Sequence, residues 1–573
     1  MKIYTMYTRN KPFLISCLFI FIFLHSCSGP EKESQKTGTI ARHGMVVSAH
    51  PLASEVGVNI LKQGGNAIDA AIATQFALAV VFPWGGNIGG GGFMVIRLQD
   101  GSINTLDFRE TAPLAAHRDM YLDSAGNIIK NLSTLGHLAA GIPGTTDGMV
   151  RAFERYGSLD WNVLVEPSVD LALNGFSLTE REATSLNMQQ ENLKKYNTIL
   201  PEHLLRTWEP GDSIRHTDLG MTLQRIKNNK AAGFYEGKTA SDILEEMKRG
   251  GGIITREDLV QYTSKWRDPI ITAYKEYKII SMGPPSSGGI ALAQLFNGIE
   301  NQPIKSWGWN SVESTHYITE TERRVYADRA TYLGDMDFTT VPIKILTSKS
   351  YMKERMSTYD PGRATPSEQI SAGVIPGYES EETTHFSVVD RFGNAVSVTT
   401  TINGGYGSKV VVAGSGFFLN NEMDDFSAKP GHPNMYGLLG NKANEIAPGK
   451  RMLSAMTPTI IEKNGTLHMV VGTPGGSTII TSVFQVIVNV IEHGFSMQEA
   501  VDAPRFHSQW LPDVIDYEEN AFTLPVSTGL NQMGHVLNKR GSIGRVDAIL
   551  VREDGTLEGG ADHHRGDDSA MGY

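Results

Sequence analysis

The stretch THFSVVDRFGNAVSVTTTI (384–402) constrains the fold more than any other part of the chain. Residues 384–390 and 395–402 are two runs rich in β-branched residues, separated by Arg391-Phe392-Gly393-Asn394, so they read as an antiparallel hairpin. A sheet built on such hairpins must cover its apolar face. The apolar helix STIITSVFQVIVNVIEHG (477–494) is one candidate cover. The first half repeats the theme. Ser54 can cap a helix to Lys62, Gly64-Gly65 interrupts it, and Asn66 can cap an Ala-rich helix to Val81 that is apolar on most faces. Strands 93–98 and 103–108 follow. Strands and long helices in both halves imply sheets covered by helices.

The 60 glycines are clustered, which indicates tight backbone turns. The cluster GGNIGGGG (85–92) leads into a strand, whereas a phosphate-cradling loop follows a strand and opens a helix. A close approach of this backbone to another segment is the better reading. Residues 145–350 read as largely helical, 352–382 as an exposed loop without periodicity, and the remainder, including GSGFFLNNEMDDF, as β-rich. With 573 residues the chain is long enough for several domains or one large α/β body. The net charge of -11 and the lack of basic clusters argue against a nucleic-acid partner. Only Cys17 and Cys27 are present, which excludes thiol catalysis and cysteine zinc sites.

The N-terminus carries Lys2, Arg9 and Lys11 before an apolar stretch, 13–24, that is short for a membrane span. The following LHSC and the polar SGPEKESQKTG fit a lipoprotein-type signal (1–26), with Cys27 lipidated at the head of a polar tether (27–40). An ordinary secretory signal with a nearby cysteine accounts for the same residues. Either reading makes the protein exported, to the periplasm or anchored at the outer membrane.

Thr383 and Thr384 open the hairpin after an acidic, turn-like stretch. A threonine hydroxyl needs a base within reach to act as a nucleophile, and an α-amino group, which titrates near ~7.7–8.0, can supply one. That chemistry requires a cut between Glu382 and Thr383. On these residues alone, a β-branched strand opener explains the pair as well. The run NEMDDF (421–426) reads as a solvated acidic turn or a calcium site, and ADHHRGDD (561–568), with His563 and His564, invites a metal.

Taken in order, TTHFSVVDRFGNAVSVTTTIN, LNNEMDDFS, LSAMTPTI, GTPGGS and APRFHSQWLPD resemble the small subunit of the γ-glutamyltransferase (γ-glutamyl transpeptidase) family. GGNAIDAA, IGGGGFM, LDFRETAP, GIPG, PPSSGG and ADRATYLGD are similar to its large subunit. The resemblance runs from about residue 40 to the C-terminus. It implies an α+β fold of the N-terminal nucleophile hydrolase type, an αββα sandwich of two stacked antiparallel sheets between helical layers. It also implies a precursor that cleaves itself between Glu382 and Thr383 into a large chain (41–382) and a small chain (383–573), which remain together as a heterodimer.

The implied site follows from the same motifs. Thr383 is the nucleophile, Thr401 and Asn403 support it, and Gly475 and Gly476 form the oxyanion hole. Arg109 and Ser454 take the substrate α-carboxylate, Glu422 and Asp425 its α-ammonium, and Tyr436 belongs to a lid. One position departs from the family. Its usual pair of serines is Ser454-Ala455 here, so one donor is missing. The family uses no cofactor and no metal at His563 and His564. The expected substrates are glutathione and related γ-glutamyl compounds, with amino acids, peptides or water as acceptors. An acylase or a polyglutamate hydrolase of the same fold is the nearest alternative, and an inactive surface-binding lipoprotein is one from another class. The only membrane contact expected is the lipid on Cys27.

Overall fold

The computed structural model describes residues 36–372, 384–429, 432–438 and 442–573. Two seven-stranded sheets form its centre. The first runs, in spatial order, Ser569–Gly572, Met45–Ser48, Thr384–Val389, Ala395–Thr401, Gly91–Arg97, Ile103–Asp107 and Lys265–Arg267. The second runs Thr39–Ala41, Leu557–Gly560, Asp547–Val551, Thr466–Gly472, Thr459–Lys463, Tyr277–Ser281 and Ile270–Tyr274. Every pairing within both is antiparallel.

Side-chain alternation sorts the core into layers. Val388, Val396, Val398 and Met94 on one face of the first sheet pack with the helix Ala67–Val81. Their neighbours Met45, Val47, Phe93, Val95 and Val389 point the other way and meet Ile280, Ile460, Val470 and Ile549 of the second sheet. The outer face of that sheet, through Ile279, Ile461 and Val471, joins a cluster with the helices Gly288–Ile299, Val312–Tyr332 and Ile479–His493. The layers are helix, sheet, sheet, helix, as the family resemblance implies. A one-residue slip of either central strand would turn these side chains to the wrong face, so register is strongly specified.

Local signals explain the helix starts. Asn66 caps the helix Ala67–Val81, and Asp69 closes the reciprocal capping box. Every residue of this helix is buried. The preceding helix begins earlier than expected, at Pro51, because proline suits the first turn and the His50 ring accepts the Leu52 N–H at 3.1 Å. Ser54 instead bonds Ser48 Oγ at 2.7 Å and the Ser569 carbonyl at 2.8 Å, holding the helix on the sheet.

Two expectations are corrected. The stretch 145–350 contains five strands: Phe176–Ser177 and Ser213–Ile214 pair in a small sheet, Lys265–Arg267 edges the first large sheet, and Tyr277–Ser281 and Ile270–Tyr274 complete one side of the second. The run around NNEMDDF is not a strand but a short 3₁₀ turn, Glu422–Asp425, buried throughout. It is therefore not a solvated turn either. Among the described residues no helix is long and apolar enough to cross a membrane.

Candidate active site

The glycine cluster before the strand Gly91–Arg97 is a place of close backbone contact. A Cβ on Gly90 would stand 1.9 Å from the Thr401 carbonyl oxygen. The end of the second hairpin strand is thereby held against the glycine loop. The first hairpin strand begins at Thr384, paired with Thr400. Glu382, Thr383 and Cys27 lie outside the described residues.

Beyond the strand, Thr401 Oγ1 accepts the Asn403 N–H at 2.7 Å, and Asn403 adopts φ 65°. Asn403 donates through Nδ2 to the Asn421 carbonyl at 3.0 Å, while its Oδ1 accepts from the Tyr436 hydroxyl at 3.0 Å. Tyr436 thus reaches from its own loop to the hairpin end. Asn420, which the sequence reading passed over, clamps the acidic turn. Its Nδ2 donates to the Gly89 and Gly141 carbonyls at 2.9 and 2.8 Å, and its Oδ1 accepts from the Glu422 N–H at 3.0 Å.

That turn delivers its carboxylates to Arg109, a wholly buried guanidinium. Arg109 Nη1 lies 2.6 Å from Glu422 Oε2 and 3.4 Å from Glu110 Oε2, and Nη2 pairs with Asp425. The guanidinium also donates to the Met452 and Leu453 carbonyls, at 3.4 and 3.2 Å. Ser454 follows directly. Its Oγ accepts the Met456 N–H at 3.1 Å, and its carbonyl accepts from the Ser287 N–H and hydroxyl, each at 2.7 Å. Ala455 is fully buried, and its methyl belongs to the apolar cluster of the second sheet.

One guanidinium faces three carboxyl groups here. Burial, reinforced by the neighbouring Glu422, pushes the Glu110 carboxyl well above the usual carboxylate range. Oε1 of Glu110 and Oε1 of Glu422 are buried and have no hydrogen-bond donor among the described residues. Such a cluster has room for one more cation. It can also yield its guanidinium to an anion if that anion carries a cation with it.

Gly475 and Gly476 stand at φ 139° and 61°, conformations that L side chains rarely adopt. A Cβ on Gly475 would also lie 3.0 Å from Gly544 Cα. Among the described residues no acceptor engages either glycine N–H. Gly475 precedes and Gly476 opens a 3₁₀ turn, Gly476–Thr478, that continues into the helix Ile479–His493, an arrangement that favours a negative charge.

Between the sheets, His385 bonds Thr399 Oγ1 through Nδ1 and Ser387 Oγ through Nε2, each at 3.0 Å. Its ring fills the place a side chain on Gly472 would need. Burial lowers its pKa to about 3. An unfolded histidine titrates near ~6.5, so the unfolded chain binds the extra proton as pH falls. The stability contributed by the depressed pKa is complete above ~6.5 and is lost between ~6.5 and about 3. At pH 5.5 the loss is on the order of 1 kcal/mol. We expect His385→Gln to narrow the gap between unfolding midpoints at pH 7.5 and 5.5; an unchanged gap would remove His385 from the acid response.

Among the described residues, His563 and His564 join no group of three or more potential metal ligands. His316, Glu320 and His535 do come together, but their ligand atoms are engaged: Arg324 holds Glu320 at 2.7 Å, and the two rings bond each other at 2.8 Å.

The gamma-glutamyltranspeptidase family profile matches residues 53–573. The glutathione hydrolase proenzyme of Escherichia coli (strain K12) is 44% identical over 543 residues, covering 93% of this chain and 92% of that protein. A cephalosporin acylase from Bacillus halodurans superposes with a TM-score of 0.83 at 25% identity, covering 96% of this chain and 99% of that one. The gamma-glutamyltranspeptidase of Helicobacter pylori superposes at a TM-score of 0.56 and 45% identity, covering 59% of this chain and 97% of that one. With the profile spanning nearly the whole fold and a relative 44% identical over 93% of this chain, the chain belongs to the gamma-glutamyltranspeptidase family.

Proposed function

We propose that this protein transfers the γ-glutamyl group of glutathione and related compounds to water or to an amine, after cleaving its own precursor before Thr383. The observation that carries the reading is the buried contact of Arg109 with Glu422 and Asp425. A zwitterionic head group matches it. The α-carboxylate takes the guanidinium, and the α-ammonium takes the carboxylates that the guanidinium leaves, so no buried charge is left unpaired. Ser454 adds a hydroxyl to the α-carboxylate. An acyl donor without an α-ammonium would leave those carboxylates without a cation, which disfavours acylase chemistry on other acids.

With the head group so held, the γ-carbonyl reaches the glycine pair. Thr383 Oγ attacks the carbonyl carbon while the Thr383 α-amino group takes the hydroxyl proton. The N–H groups of Gly475 and Gly476 receive the developing oxyanion. The C–N bond breaks, the amine departs with the proton, and a glutamyl ester remains on Thr383. Water or an acceptor amine then attacks; the ester C–O bond breaks and the threonine oxygen recovers a proton. Thr401 and Asn403 hold the hairpin end, and Tyr436, through Asn403, closes the lid.

Maturation uses the same hydroxyl. Thr383 Oγ attacks the Glu382 carbonyl, the peptide becomes an ester, and water opens it. The strand Thr384–Val389 lies between Met45–Ser48 and Ala395–Thr401, so strands of the two products interleave in one sheet. The products then remain a heterodimer without a covalent link. Purified protein should run as two chains on a denaturing gel and release p-nitroaniline from γ-glutamyl-p-nitroanilide. One uncut chain without release would overturn the reading. Export, with a lipid on Cys27, completes the proposal, and mass spectrometry of the mature N-terminus tests it.

Ala455→Ser probes the family's second serine. The added hydroxyl should lower KM for γ-glutamyl donors several-fold, as one hydrogen bond to a charged group is worth roughly 1.5–3 kcal/mol before strain. It should act on KM more than kcat, because the head group is bound alike in ground and transition states. A KM that rises would mean the pocket is shaped around the alanine methyl.

A further inference from the structure

We propose that a second cavity, of about 490 Å³, binds a small multivalent oxyanion, either a polycarboxylate or a condensed phosphate. Its wall is drawn from the stretches 128–135, 404–409, 421–426 and 428–435. It includes neither Arg109, Glu422, Asp425 and Ser454 of the head-group end nor the glycines 475 and 476. The cavity is therefore a compartment apart from the site described above, and its ligand is independent of the γ-glutamyl transfer reading. Asp424 and Met435 nevertheless tie the wall to the acidic turn and to the loop of Tyr436. A ligand held here braces that loop where it meets the turn.

Charge carries the argument. The chain has a net charge of -11, yet this wall gathers Lys130, Lys409 and Lys429, with His432 beside them. The three lysines are far apart in sequence, and among the described residues none pairs with a carboxylate. Lys409 donates from Nζ to the Gly405 carbonyl, and to that of Gly407 at 3.3 Å. Lys429 Nζ donates to the Gly126 carbonyl at 2.8 Å, and Lys130 is exposed. Carbonyl dipoles orient an ammonium but leave its charge uncompensated. Each ammonium has three N–H donors, so all three lysines keep donors for a ligand. Burial pushes the Lys409 ammonium down to about 8, with no carboxylate beside it to hold it up.

Among the described residues the wall has one carboxyl group, Asp424, and it is not the missing counter-ion. Its Oδ1 accepts from the Ser133 hydroxyl at 2.5 Å and its Oδ2 from the Met435 N–H at 3.1 Å. Burial also pushes its pKa above the usual carboxylate range, which favours the neutral form. The other polar groups of the wall, such as the Asn131 and Asn421 amides and the Thr134 hydroxyl, are uncharged. A cavity lined by one sign of charge focuses its potential and concentrates the opposite ion. Three ammonium groups call for a ligand with two or three negative charges, since a halide would leave two of them uncompensated. The volume is in the range that holds a small molecule.

Isothermal titration calorimetry of the purified protein with citrate and, separately, with pyrophosphate tests the site, at an ionic strength held constant with sodium chloride. At least one of the two anions should bind saturably, with one ligand per chain, and the tighter of them identifies the ligand class. Lys130→Gln and Lys429→Gln should each weaken that binding roughly tenfold, as expected for loss of one charge-assisted hydrogen bond, and the protein carrying both roughly a hundredfold. Lys353→Gln removes an equal charge from the exposed face of the helix Lys349–Arg355 and should leave the affinity unchanged, which separates a built site from general attraction. Lys409 is left in place because its ammonium ties the loop 405–407, so that its loss would confuse folding with binding. Absence of saturable binding by both anions, or binding that the doubly substituted protein retains, would overturn the site. The transfer reading stands or falls separately, on release of p-nitroaniline.

Discussion

The Thr383→Ala protein should stay a single chain and show no turnover above background. One oxygen serves both reactions in the proposed mechanism, so its removal stops them together. For turnover the loss should exceed about a thousandfold, the scale seen when a nucleophile is deleted from an otherwise intact site. Two effects need separating, since an uncut precursor lacks the free α-amino base as well as the hydroxyl. Co-expression of residues 28–382 with a chain beginning at an alanine in place of Thr383 restores the terminus without the hydroxyl. That assembly should form and bind γ-glutamyl donors while releasing no p-nitroaniline. Thr383→Ser, which keeps the oxygen, should cleave and turn over at reduced rates. Appearance of two chains from the uncut Thr383→Ala precursor would take the nucleophile assignment away from this residue.

Arg109→Lys should raise KM for glutathione by one to two orders of magnitude and leave precursor cleavage intact. The guanidinium has pairs or hydrogen bonds with Glu422, Asp425, Met452 and Leu453, directions that a single ammonium cannot all satisfy. Losing one charge-assisted hydrogen bond costs roughly 1.5–3 kcal/mol, or about ten- to a hundredfold in binding. Lysine is the informative substitution because it keeps the positive charge. A neutral residue would leave buried carboxylates uncompensated, at about 3–5 kcal/mol, and would confuse folding with binding. Unfolding midpoints measured alongside the kinetics separate the two. Unchanged KM in a protein of normal stability would remove Arg109 from the head-group site.

Much of the fold was legible locally. The hairpin reads from its β-branched runs, with both strands ending one residue earlier than the pattern implied, at Val389 and Thr401. Asn66 reads as a cap because its partner Asp69 lies three residues away. Ile270–Tyr274 was missed, yet it alternates buried and exposed through its whole length. That alternation lies in the burial alone: Ile271 is exposed and Thr272 buried, so the residues IITAY carry no period-two hydropathy signal. Pro51, by contrast, was readable as a first-turn proline, where Ser54 offered a competing cap.

The sequence by itself determined the period of each strand, the caps of the helices, the motifs that mark the family, and the residue types that the chemistry needs. These are properties of neighbours within a few residues, or of motifs read in order. Only the tertiary structure decided that NNEMDDF is a buried acidic turn paired with Arg109 and not a solvated turn. Arg109 and Asp425 are 316 residues apart, and no local pattern reports their contact. It exists because Asn420 ties the acidic turn to Gly89 and Gly141, while the strand Ile103–Asp107 delivers Arg109 to the same point. The cavity at Lys409 has the same origin, since Lys130 and Lys429 join its wall only when the two halves of the chain close around the acidic turn. A buried carboxylate is tolerated only where the fold supplies its counter-charge, and that condition is set by packing over distances local sequence cannot span.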